Sequence, residues 1–132
     1  MAIGGLLGII DIGLIAIELG IALSVLVLGI TIASNANFNK FLIYLFVAMF
    51  AVFHGYAHGK EIPELAASWS YIVGFMTGTA LLHLFGVGIG YISKRVQNGN
   101  GFLRYTGAVF AGIGFHIIFI IFEIQDNFLL LQ

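Results

Sequence analysis

Four apolar runs, each long enough to cross a bilayer, constrain the fold of this chain more than any other feature. A membrane-spanning helix needs about 20 mostly apolar residues. The runs predict spans at Leu14–Ala33, Phe41–Gly59, Leu65–Ser93 and Phe102–Phe122. Only 8% of the 132 residues are charged, whereas soluble domains average about 25%. The sequence therefore predicts an all-α integral membrane protein, folded as a single transmembrane helical domain in the lipid bilayer.

The first residues predict a short helical segment rather than a fifth span. Ala2 to Ile10 is apolar but is interrupted by Asp11 before it could cross a bilayer. We expect it to form a short or broken helix packed on the others. It has no basic region and no small-residue cleavage site, so we expect no removable signal peptide. Pro63 predicts a helix boundary before the third span.

The basic residues predict the orientation of the chain in the membrane. Lys60 is expected on one side, and the other four basic residues on the opposite side: Lys40, Lys94, Arg95 and Arg104. Cytoplasmic loops carry an excess of Lys and Arg. We therefore expect the His54–Glu61 end of the second span to lie on the non-cytoplasmic side.

Several classes of function are excluded or disfavoured by what the sequence lacks. There is no cysteine, so disulfides and thiolate metal sites are excluded. The net charge of −1 gives no reason to expect a nucleic-acid partner. No hydrolase, phosphate-binding or dinucleotide-binding motif is present, so we expect neither an enzyme nor an organic cofactor.

Glycines on the third span predict close helix packing. Gly74, Gly78, Gly86 and Gly90 recur at multiples of four residues, which places them on one slowly drifting helix face. Small residues allow helix backbones to approach closely in membranes. We expect this face to pack inside the bundle, between copies of the chain or in a larger membrane complex. A flexing hinge is the alternative.

The stretch FHGYAHGKE places polar groups where the second span ends. His54, His58 and Glu61 fall within about 60° of one another on a helix, and paired imidazoles at i and i+4 can bind one divalent ion. The alternative is that the histidines only occupy the membrane interface, where polar side-chain tips are common. The three together favour a metal site, and nitrogen and oxygen ligands suit nickel, cobalt, copper or zinc better than calcium or magnesium.

Two ionisable residues in other spans are candidate helpers. His83 lies deep in the third span, where an ionisable group indicates a functional site, although it could simply bond to Thr79 or a neighbouring backbone. Glu18 is predicted level with His54 and His58, and an isolated carboxylate there would be protonated or paired. For His116 in the fourth span a packing role is favoured over ligation.

At these residues the chain resembles the HupE/UreJ family of small membrane permeases, which are implicated in nickel or cobalt uptake. Three stretches carry the resemblance: ELGIALSVLVLG (18–29), FHGYAHGKEIP (53–63) and GFMTGTALLHLFGVGIG (74–90). The metal-handling residues that it implies are His54, His58 and Glu61, with Glu18 and His83 as helpers. The family usually also has an earlier span with an HPxxGxDH motif, which this sequence lacks.

The sequence therefore predicts a secondary permease or binding protein for a divalent transition-metal ion, nickel or cobalt. Protonation of the histidines would weaken binding and could couple release to pH. One alternative is a small accessory or structural subunit of a larger membrane complex that has lost transport. A second alternative is a redox or pigment protein with histidine axial ligands, for which four residues are available: His54, His58, His83 and His116.

Overall fold

All regular secondary structure is helical in the parts that the computed structural model describes, which are residues 1–14, 16–34, 36, 38–61 and 68–129. Within these parts there are five helices: α1 (Ala2–Ile9), α2 (Ile17–Ser34), α3 (Lys40–Lys60), α4 (Ser68–Ser93) and α5 (Gly99–Leu129). The last four are long and apolar enough to cross a membrane. The predicted all-α membrane fold, with four spans and a short N-terminal helix, is confirmed.

The bounds of the helices follow the apolar runs closely except at the end of α5. That helix ends at Leu129, whereas the apolar run ends at Phe122. It continues because exposed carboxylates, here Glu123 and Asp126, do not interrupt backbone hydrogen bonding. Hydropathy therefore predicts how much of a helix lies in lipid, not where the helix stops. The predicted boundary at Pro63 lies outside the described residues.

The α2 and α5 helices run antiparallel and form the most extensive interface between elements. Glycines bring their backbones together. A methyl group added to Gly114 would overlap the backbone of Leu26, and one added to Gly107 would overlap that of Ala33. Because lipid tails are as apolar as the side chains, this close contact must supply the stabilisation through van der Waals packing.

A single arginine fixes the level at which α2 and α5 meet. The Arg104 Nε donates a hydrogen bond to the backbone carbonyl of Ala33 at 3.0 Å. That carbonyl belongs to the last turn of α2, where main-chain oxygens lack helical partners. The end of α2 and the start of α5 therefore lie at the same end of the bundle, as the predicted topology requires.

The α1 helix packs along α3 in the same direction as α3. Added methyl groups would overlap Val52 if placed on Gly4, and Tyr56 if placed on Gly8. With eight residues, α1 is about 12 Å long, less than half the thickness of the hydrocarbon core. It is thus a partial span that covers only the C-terminal half of α3.

The end of α1 is closed by a Schellman motif. The Ile12 N–H donates to Leu7 O at 3.2 Å and the Asp11 N–H to Gly8 O at 3.3 Å. Asp11 itself has a positive φ of 54°, the left-handed conformation that this motif requires. The motif turns the chain sharply after α1 and places the Asp11 side chain beside the end of α3.

The α4 helix has the least contact with the rest of the chain. Its first turns reach α3, where the Tyr71 hydroxyl donates to His58 O at 3.3 Å. Farther along, large side chains such as Leu82 and Val87 are about three-quarters exposed (73% and 72%). In a bilayer these faces are available to lipid.

The glycine face of α4 does not pack against any other described part of the chain. Methyl groups added at Gly74, Gly78, Gly86 or Gly90 would meet nothing within 4 Å. Within the described part of the chain, the close helix contacts are made instead by glycines of α1, α3, α2 and α5. Packing of this face between copies or in a larger complex stays a prediction.

Candidate functional site

The C-terminal end of α3 brings an imidazole and a carboxylate together. The helix ends at Lys60, with Glu61 as its C-cap residue. The Nδ1 of His58 lies 3.4 Å from the Oε2 of Glu61, and the two side chains are 45% and 68% exposed. Residues three apart on a helix face each other, so the contact follows directly from the sequence spacing. This end of α3 therefore offers an accessible histidine–carboxylate pair.

His54 lies one turn below this pair on α3 and is half-buried. Its Nδ1 is 3.3 Å from the backbone carbonyl of Phe50. A carbonyl can only accept, so this contact places the ring proton on Nδ1 and leaves the Nε2 lone pair available. The Glu61 carboxylate lies 3.4 Å from the Nδ1 of His58, which is an ion-pair contact rather than a hydrogen bond. The contact with Phe50 thus favours the tautomer of His54 that presents Nε2 to a ligand.

An apolar cavity of about 270 Å³ lies beside His58, between α1, α3 and the start of α4. The His58 ring stands against the ring of Phe75, with 4.8 Å between the centroids. Gly5, Leu6 and Ile9 of α1 complete the wall on the opposite side. The α1 and α4 helices therefore restrict how His58 can be approached.

A second charged pair joins α1 to α3 next to the histidine–carboxylate pair. The Lys60 ammonium donates to the Asp11 carboxylate and forms an ion pair with it. Lys60 immediately precedes Glu61 in the chain, but it pairs with α1 rather than with its neighbour. One turn earlier on α3, Tyr56 is buried, with 2% of its surface exposed. Its hydroxyl accepts a hydrogen bond from the backbone N–H of Leu14 at 3.5 Å.

The other predicted site residues do not join this cluster in the structure. Glu18 is exposed in the first turn of α2 and forms no ion pair with another described residue. His83 is exposed on α4, and its Nδ1 is 2.7 Å from Thr79 O, which was the alternative role foreseen for it. His116 is exposed on α5. Among the described residues, no three His, Asp or Glu side chains lie close enough together to hold a metal ion.

Sequence reasoning missed two contacts that define this end of the molecule. One is the pairing of Asp11 with Lys60, although both residues border the same predicted face of the membrane. The other is the hydrogen bond from Tyr71 to the His58 backbone. Opposite charges at the same predicted level could have suggested the first. The second depends on how α4 packs, which spacing along one helix does not reveal.

The comparisons with known proteins agree on one family. A family model described as HupE / UreJ protein matches residues 1–117 of the chain. The protein named Protein HupE of Rhizobium leguminosarum bv. viciae is 38% identical over 107 residues, which cover 75% of this chain and 56% of that relative. The chain thus spans little more than half the length of this curated relative. No solved structure matches significantly.

Proposed function

Because the chain belongs to the HupE/UreJ family of membrane proteins, we propose that it binds a divalent transition-metal ion, nickel or cobalt, and passes it through the membrane. The ion is cargo, and it is first taken up at the C-terminal end of α3. The observation that carries the proposal is that His54 and His58 lie one turn apart on α3, with the Nδ1 of His54 against Phe50 O and the Nδ1 of His58 3.4 Å from Glu61.

Imidazole nitrogen is a ligand that nickel and cobalt accept readily. His54 and His58 are one helical turn apart, so both can turn an Nε2 lone pair toward one ion. Glu61 lies 3.4 Å from the Nδ1 of His58, and carboxylate–histidine pairs orient the ring and increase its basicity as a ligand. Water completes the coordination, and incomplete protein ligation allows the ion to leave again.

Glu18 and His83 have later roles in this proposal. Glu18 lies in the first turn of α2, at the end of the bundle where α3 finishes, and it adds negative charge that attracts a cation. His83 lies farther along α4 and would receive the ion only if α4 moved toward α3. The slight packing of α4 within the chain supports such a movement.

The first test is nickel uptake into proteoliposomes by the double variant His54→Ala/His58→Ala. We expect at least a tenfold slower initial uptake at subsaturating Ni²⁺, because even the outer partners of metal ligands contribute about 10- to 100-fold to affinity. The matched control is His116→Ala, which removes an exposed histidine from another span. Equal uptake by the parent protein, the control and the double variant would remove the proposed function.

A second test separates ligation by Glu61 from orientation of His58. Glu61→Gln keeps an oxygen that accepts the Nδ1 proton, whereas Glu61→Ala removes it. We expect Ni²⁺ affinity, measured by titration calorimetry, to fall about threefold in the glutamine variant and about tenfold in the alanine variant. Equal, large losses in both would show that the carboxylate itself coordinates the ion.

The glycine face of α4 favours a second candidate function, that of a small subunit in a larger membrane complex. This face meets none of the described residues within 4 Å, as would be expected of a small subunit that docks into such a complex. Purification from native membranes distinguishes the two functions. Co-isolation with large partners, together with no Ni²⁺ binding by the purified chain, would favour the subunit.

A further inference from the structure

We propose that Asp11 is a positioning residue for the metal site, a role that rests on the proposed function. Asp11 belongs to the turn after α1, and its carboxylate pairs with Lys60 rather than with a histidine. It acts on the site through Lys60, by holding the only basic side chain at this end of the described chain away from Glu61.

Lys60 lies in the chain where an unpaired ammonium would disturb the metal site. Lys60 lies between His58 and Glu61, and consecutive Cα atoms are only about 3.8 Å apart. An unpaired ammonium here would compete with His58 for the Glu61 carboxylate. It would also repel an approaching divalent cation, since like charges at this range are only partly screened by solvent.

The structure shows where the ammonium goes instead. Lys60 donates to Asp11 on the α1 side of α3, while Glu61 remains 3.4 Å from His58. The Lys60 and Asp11 side chains are 46% and 69% exposed. A pair so open to solvent contributes little to stability. Its location next to the histidine–carboxylate pair is better explained by its effect on local charge.

Asp11, Lys60 and Glu61 together carry one net negative charge, and this permits a charge-balanced experiment. Asp11→Asn makes the trio neutral, Lys60→Met gives it two negative charges, and the double variant restores one. Glu64 also belongs to this end of the chain but lies outside the described residues. It is unchanged in all four proteins, so it does not alter the comparison.

The expected result is an ordered series of Ni²⁺ affinities measured by titration calorimetry. Asp11→Asn should weaken binding about fivefold, Lys60→Met should strengthen it slightly, and the double variant should match the parent protein. The fivefold difference should shrink in 0.5 M NaCl because salt screens exposed charges. Thermal unfolding of each protein establishes that all four are folded.

Other outcomes would overturn the inference in identifiable ways. If the ion pair only tethers α1 to α3, the two single variants should lose affinity equally and the double variant should not recover. If all four proteins bind Ni²⁺ equally, Asp11 has no influence on the site, but the proposed function survives. If the parent protein binds no Ni²⁺, the proposed function fails and this inference fails with it.

Discussion

Alanine in place of Gly107 should lower the free energy of unfolding by about 3 kcal/mol, the upper range for forcing extra volume into a packed interface. The added methyl group would lie closer than 3.0 Å to the Ala33 nitrogen and the Gly29 carbonyl oxygen. These are backbone atoms, so neither can rotate away as a side chain could. The two helices would have to separate along the largest interface of the molecule.

Gly112 provides a matched control for this prediction on the same helix. A methyl group added there meets nothing within 4 Å. Gly112→Ala should therefore be neutral or stabilise the protein by up to about 1 kcal/mol, because alanine restricts the unfolded chain and favours the helix. Equilibrium unfolding in mixed micelles measures both variants. Equal effects of the two substitutions would mean that α2 and α5 do not pack as described.

The number and approximate length of the membrane spans could be predicted from the sequence because the bilayer sets both. Twenty apolar residues have few alternatives in a chain with so little charge. The pairing of the helices could not be predicted in this way. A helix such as α2 is apolar on all sides, so no contrast between polar and apolar faces shows which side packs.

Glycine spacing alone also does not identify the packing partner, and the reason is physical. Glycines four residues apart allow close approach, but they do not select the partner. The α4 helix has the most regular spacing, yet its glycines meet no other described residue, while Gly4 and Gly8 of the short α1 pack tightly on α3. Which glycines are used depends on the shape of the facing helix, and spacing along one helix carries no information about that.

In the candidate site, too, contacts within one helix could be predicted from the sequence and contacts between helices could not. The contact between His58 and Glu61 lies within a single turn, so helical spacing predicted it. Whether His83 lies near this pair depends on how α4 is placed against α3, and the sequence does not show that. In the described residues His83 bonds to its own helix through Thr79 instead. Local geometry was thus available from the sequence, whereas contacts between helices were not.

The second large effect is expected from Gly4→Ala. This substitution should disturb the packing of α1 on α3 and, through it, the histidine–carboxylate pair at the end of α3. In Gly4→Ala the new methyl group would overlap the backbone of Val52, so α1 should detach from α3. Detachment would open the wall of the cavity beside His58 and separate Asp11 from Lys60. We expect about 2 kcal/mol of local destabilisation, equivalent to about 30-fold faster amide hydrogen exchange across residues 2–9.

Gly5→Ala is the control, because it makes the same chemical change one residue away on the same short helix. Its methyl group would meet only Gly55 O at 3.6 Å, an ordinary contact. Exchange in α1 should therefore be unchanged or slower, since alanine favours the helix. Gly4→Ala should also weaken Ni²⁺ binding about fivefold, as Asp11→Asn does, because both release the Lys60 ammonium toward Glu61. If Gly4→Ala leaves amide hydrogen exchange in α1 and the affinity for Ni²⁺ as in the parent protein, the packing of α1 does not shape the metal site.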